Sequence, residues 1–147
     1  MSGMENAVRG GDPVLVVREF ETLMQRVPRD LAALSELLAV DVVVYEAPSL
    51  PYAGEHRGVD GFVGLVDAMA RTWEFPPGVK TFEFLDAGDG QVVVLTLGRA
   101  VARATGREVE WRLSEHFRVR DGRITEIRPF YWDTAAVVAA VSGHPIS

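Results

Sequence analysis

The chain changes character at Pro76-Pro77-Gly78: residues before this break read mainly as helix, and those after it read as strand. Beyond it come TFEFLDA (81–87), QVVVLTLGRAVA (91–102), REVEWRLSEHFRVR (107–120) and RITEIRPFYWD (123–133), separated by the turn signals DAGDG, RATGR and DG. Alternating β-prone runs punctuated by such turns predict an antiparallel meander. Before the break, Asp12-Pro13 opens a helix by supplying a capping carboxylate and a proline where no N–H is needed. That helix is predicted over 13–27, with Val16, Phe20, Leu23, Met24 and Val27 on one stripe. Asp30 caps a second, DLAALSELLA, whose apolar side is Leu31, Leu34, Leu37 and Leu38. DVVVYEA (41–47) is a short strand, PSLPYAGEHRG a loop, and 59–73 a third helix carrying Phe62, Leu65, Val66, Met69 and Trp73 at helical spacing. TAAVVAAV behind Asp133 predicts a short last helix. Helices gathered against one curved antiparallel sheet give an α+β architecture, with the sheet wrapped around the N-terminal helices as a cone whose mouth suits a small ligand.

With 147 residues, 48% hydrophobic and 24% charged, the chain has the balance of one ordinary globular domain. Residues 1–12 are expected to be a flexible arm, 13–141 the domain and 142–147 a tail. A net charge of −6 without a basic run argues against nucleic-acid binding. No apolar run approaches a membrane span, and MSGMENAVRGGD lacks the apolar core of a secretion signal, so a cytoplasmic location is the expectation. Fourteen of the fifteen basic residues are arginine and only Lys80 is lysine, a bias that reads as codon usage. Absence of cysteine removes thiolate chemistry, and His56, His116 and His144 are too dispersed for a metal site. No phosphate-binding glycine loop is present, so neither a metal nor another cofactor is expected.

Strand parity singles out the candidate site. In EVEWRLSEHFRV one face reads Trp111, Leu113, Glu115, Phe117 and Val119, leaving a lone carboxylate on an apolar face. Desolvation would raise its pKa and suit it to general acid or base work; the plainer reading is a carboxylate satisfied at the cavity edge. On the last strand Tyr131 and Asp133 share a face with Ile127 and Pro129, offering a phenol and a carboxylate near the mouth, although Asp133 better suits a helix cap for TAAVVAAV. Phe130 and Trp132 fall on the outer face, which suggests a homodimer through the sheet. Tyr45 shares its strand face with Val43 and Ala47 and is expected to face the pocket, with Glu46 turned away. Phe20, Tyr45, Tyr52, Phe62, Met69, Trp73, Trp111, Leu113 and Phe117 are the candidate substrate contacts, each also explicable as core. Together they predict a roomy apolar chamber.

The strings VVVYEAPSLPYAGEHRGVDGFVGLVDAM and HFRVRDGRITEIRPFYWD resemble the SnoaL-like polyketide cyclases, within the superfamily of nuclear transport factor 2 and ketosteroid isomerase. The markers are Gly61-Phe62 opening the third helix, the DGRI turn and the terminal FYWD. The resemblance implies the cone-shaped barrel and leaves the reaction open, since the superfamily spans several activities. Steroid isomerases use a helix tyrosine and two carboxylates; by resemblance these fall near Phe20, at Ala47 and at Glu115, so two of three roles are missing. The Asp-Arg-Asp set of limonene-type epoxide hydrolases falls on Gly98, Thr96 and Phe130. The His-x-Asp pair of aldol-type cyclases falls on Glu115 and Phe117.

These readings make the chain a cofactor-independent cyclase of polyketide secondary metabolism, acting on a linear apolar intermediate. Ring closure of the [4+2] type by enforced conformation is the favoured expectation, because near-attack geometry needs little proton transfer. An aldol or Michael-type cyclase or isomerase using Glu115 is the alternative, and a non-catalytic ligand-binding or dimerisation module a third.

Overall fold

The computed structural model describes residues 12–78 and 80–143. The expected arm and the end of the tail, including His144, lie outside them. The elements run α1 (Pro13–Met24), α2 (Leu31–Glu36), β1 (Leu38–Glu46), β2 (Gly54–Arg57), α3 (Gly58–Thr72), β3 (Trp73–Glu74), β4 (Thr81–Gly88), β5 (Gln91–Ala102), β6 (Glu108–Arg120), β7 (Arg123–Tyr131) and α4 (Thr134–Ser142). The helix starts follow their caps. Asp12, Asp30 and Asp133 accept from the backbone N–H groups of Val14, Ala33 and Ala136, each at 3.0 Å, satisfying donors that the first turn cannot. Helix α1 stops three residues earlier than the stripe predicted, leaving Val27 91% exposed; a residue followed by proline is disfavoured in helical backbone. Helix α4 ends at Ser142 with Gly143 in the left-handed region, one residue beyond the expected domain edge.

The seven strands among the described residues form one sheet, ordered β2-β1-β7-β6-β5-β3, with β4 also paired to β5. It is strongly curled, a half-barrel with the N-terminal helices against it. The meander β4–β7 is antiparallel as expected, but β1 joins β7 in parallel, with Val44 opposite Ile127. A break of register between Leu38 and Val43 accompanies this pairing, as expected where a bulge bends a strand. At the DG turn Asp121 and Gly122 both have positive φ, the conformation of a tight two-residue hairpin. At the preceding turn only glycine fits position 90, because a Cβ there would lie 2.3 Å from the Val119 carbonyl oxygen.

Inside the curl, Phe20 meets Phe62 and Phe117 at ring separations of 5.8 and 5.6 Å. Trp111 meets Trp73, Phe75 and Tyr131 edge-on at 5.1–5.3 Å. Burying one such phenylalanine stabilises the fold by about 1.5–3 kcal/mol. The hairpin tip between β5 and β6 is tied down: the Arg103 N–H donates to the Thr72 carbonyl at 2.9 Å, and the Thr105 hydroxyl to the Ala140 carbonyl at 2.6 Å.

Candidate functional site

The inner wall of the sheet follows the parity of β6. Trp111, Leu113 and Phe117 are buried, Glu115 is half-buried on the same face, and β7 presents Ile127, Pro129 and Tyr131 beside them. Glu115 stands opposite Pro129 on β7 and Val94 on β5. Burial pushes its carboxyl up from the usual value to about 7, with the Lys80 ammonium pulling the other way.

Strand β1 reverses the expected faces. Val42, Val44 and Glu46 point into the core, whereas Tyr45 lies on the other face with the Arg128 guanidinium 3.9 Å from its ring centre. Tyr45 is therefore withdrawn as an interior contact and Glu46 takes its place. Glu46 is 8% exposed, and its carboxyl is pushed up to about 8, first by burial and then by the charge of Glu115, against a lowering hydrogen bond from Tyr131.

A string of polar groups leads to Glu46. The Trp73 indole N–H donates to the Tyr52 hydroxyl at 2.8 Å, Tyr52 and Tyr131 are hydrogen-bonded to each other, and the Tyr131 hydroxyl donates to Glu46 Oε1 at 3.4 Å. An indole only donates, so the Tyr52 hydroxyl accepts from Trp73, while the Tyr131 hydroxyl donates to the carboxyl group. Burial raises Tyr52 to about 12 and Tyr131 well above a free phenol; both remain protonated donors at neutral pH.

Two charged residues complete the cluster. Glu21, 6% exposed, lies on the inner side of α1 among Val17, Phe20 and Leu23. Burial, then the charge of Glu115, raises its pKa well above the carboxylate norm. Lys80 holds its ammonium 3.6 Å over the Phe75 ring; its pKa is lowered by burial and restored in part by Glu115 and Glu21. Among the described residues no group of three His, Asp or Glu side chains is placed to hold a metal ion.

The remaining candidates separate cleanly. Phe20, Tyr52, Phe62, Trp73, Trp111, Leu113 and Phe117 are core residues, and Met69 is half-buried against them. Trp73 belongs to strand β3 opposite Ala102 rather than to helix α3. Asp133 is exposed and caps α4, so it does not join the carboxyl cluster. The interior expected to be purely apolar carries Glu21, Glu46, Glu115 and Lys80 beside its aromatic rings. Two hollows of about 420 and 440 Å³ open elsewhere, one between Leu97 and Glu110 and one along α4 beside Ser49, and neither includes a residue of the acidic cluster.

Sequence reasoning missed Glu21, Glu46 and Lys80. Glu21 was visible at helical spacing from Val17, Lys80 as the one lysine among arginines, and Glu46 only once the inner face of β1 was known.

The model of the SnoaL-like domain matches residues 10–127. The chain belongs to the SnoaL-like family. An uncharacterized protein of Mycobacterium bovis is 33% identical over 107 residues, 73% of this chain and 80% of that one. This SnoaL-like domain also superposes on an NTF2-like protein from Burkholderia xenovorans with a TM-score of 0.77 and 27% identity, covering 88% of this chain and 95% of the other. A protein from Mesorhizobium loti, provisionally named a SnoaL-like polyketide cyclase, shares the fold at a TM-score of 0.64 and 22% identity, over 79% and 96% of the two chains. No helix among the described residues of the SnoaL-like domain is long and apolar enough to cross a membrane.

Proposed function

We propose that this SnoaL-like domain is a cofactor-independent acid–base enzyme that moves a proton beside the carbonyl of a small, mostly apolar polyketide-like substrate. The observation that carries the reading is the pairing of two interior carboxyls, at about 7 and about 8, with the Tyr131 hydroxyl donating to the second. A base is most effective when its pKa lies near the working pH. Glu115, held partly ionised by Lys80, takes a proton from the carbon next to the carbonyl. Protonated Glu46 and the Tyr131 hydroxyl then donate to the enolate oxygen as charge develops there. Return of the proton to a different carbon gives an isomer. Attack of the enolate carbon on a second, electrophilic carbon of the same molecule closes a ring, with the proton returned to the oxygen or carbon that received the electron pair.

Of the roles carried by steroid isomerases, the two carboxylates are then occupied, by Glu46 and Glu115, in place of the one inferred from the sequence. Closure by shape alone calls for an apolar chamber, and an interior bearing Glu21, Glu46, Glu115 and Lys80 favours proton transfer over that reading.

The test is hydrogen exchange of 2-tetralone in deuterated water, followed by NMR. The enzyme is expected to speed exchange at the carbons beside the carbonyl. The rate should rise as Glu115 ionises near pH 7 and fall as Glu46 loses its proton near pH 8. Glu115→Gln is expected to lower it about a hundredfold or more with the circular dichroism spectrum unchanged. Exchange no faster than in buffer, or unaffected by Glu115→Gln, refutes the proposal and favours a ligand-binding module.

A further inference from the structure

Strand β5 turns Val92, Val94, Thr96, Gly98, Ala100 and Ala102 to the interior and leaves Leu95, Leu97 and Arg99 exposed. Thr96 is the one hydroxyl on that inner face. It is 4% exposed, and its Oγ1 has no hydrogen-bond partner among the described residues. A buried hydroxyl left unpaired destabilises the fold, and valine would fill the same volume without that cost. A polar atom kept in this state calls for a partner that arrives with a ligand.

The register places it. Thr96 stands opposite Leu113, which stands opposite Tyr131, so Thr96 and Tyr131 occupy one row across β5, β6 and β7. The same ladder puts Glu115 opposite Val94, diagonally one strand and two residues from Thr96, a separation of about 7–8 Å. The unpaired hydroxyl and the proposed base thus share one wall within the reach of a single bicyclic molecule. Its direct neighbours, Phe82 and Leu113 across the ladder and Val94 and Gly98 along the strand, carry no polar side-chain group.

We infer that Thr96 is a specificity-determining residue that hydrogen-bonds a second oxygen of the substrate, and hence that the substrate carries an oxygen function besides the reacting carbonyl. This deepens the acid–base reading and rests on it for the identity of the first carbonyl. A hydroxyl both donates and accepts, so the second oxygen is a hydroxyl, ketone or ether. A site built to bond such a group discriminates strongly against the analogue that lacks it, because the analogue leaves Thr96 buried and unpaired.

The test compares 2-tetralone with 6-hydroxy-2-tetralone, which differ by one hydroxyl, on wild type, Thr96→Val and Thr96→Ser. Binding is measured by calorimetry and exchange by NMR. Wild type is expected to bind the hydroxy ketone about tenfold or more tightly, a preference kept by Thr96→Ser and removed by Thr96→Val. Without ligand, Thr96→Val is expected to raise the thermal midpoint by about 2–4 °C. A preference that survives Thr96→Val, a midpoint that falls, or a wild type that binds neither ketone overturns the inference. Preferential binding without catalysed exchange leaves Thr96 in its role and refutes the acid–base reading. Catalysed exchange with equal affinity for both ketones in wild type does the reverse.

Discussion

Replacing Glu46 with glutamine should make the protein more stable, by an amount that grows as pH rises from about 4.5 to 8. In the fold Glu46 titrates at about 8 against an ordinary value of 4.5, and each pH unit between them corresponds to about 1.4 kcal/mol. The ionised residue therefore costs the fold on the order of 5 kcal/mol above pH 8, part of it shared with Glu115 through their repulsion. Between pH 4.5 and 8 the native protein retains protons that the unfolded chain has released. The stabilisation from the protonated acid is complete below pH 4.5 and is lost as pH rises through this window. Glutamine is uncharged throughout and still offers an oxygen to the Tyr131 hydroxyl. In urea unfolding followed by the fluorescence of Trp73 and Trp111, wild type should lose stability steadily from pH 5 to 8. Glu115, at about 7, adds to the slope, and each group contributes at most about 1.4 kcal/mol per pH unit. Glu46→Gln should match wild type within about 1 kcal/mol at pH 5 and exceed it by about 3 kcal/mol at pH 8. Wild-type stability that is flat or rises over this range, or a variant no more stable at pH 8, would show that Glu46 is not held in a desolvating interior.

Asp133→Ala should cost about 1 kcal/mol of stability, the usual value of a lost helix cap, without lowering the exchange rate; an exchange defect exceeding the stability loss would return Asp133 to the site. Phe130 and Trp132, 53% and 74% exposed on the outer sheet face, are expected to pair two copies of the chain. Light scattering should report a dimer that Trp132→Glu converts to monomer, and a monomeric wild type refutes that assembly.

Most of the architecture could be read from local chemistry. The three aspartate caps, the Pro76-Pro77-Gly78 break and the DG turn each act within a few residues, so the helices and the meander β4–β7 were visible in the string. Face assignment in β6 and β7 was equally legible, because polar residues alternate there with apolar ones. Strand β1 was not, since Val42, Val43 and Val44 make both of its faces apolar and leave composition silent about which side is inside. That choice is made by pairing with β7, more than eighty residues away in sequence, and it cost the reading both Tyr45 and Glu46. Lys80 and Glu21 were hidden differently: their significance lies in meeting Glu115 across the fold, which no local window contains.

The irregularity between Leu38 and Val43 carries weight out of proportion to its size. Removing or adding one residue at 39–41, with Leu38 held opposite Ile124, would slip the end of β1 by one residue against β7. Tyr45 would then enter the interior and Glu46 would leave it, exchanging an acid for a phenol without any point mutation at either position. In a scaffold shared by proteins of different chemistry, a single codon gained or lost at that kink is a short evolutionary route from one reaction to another.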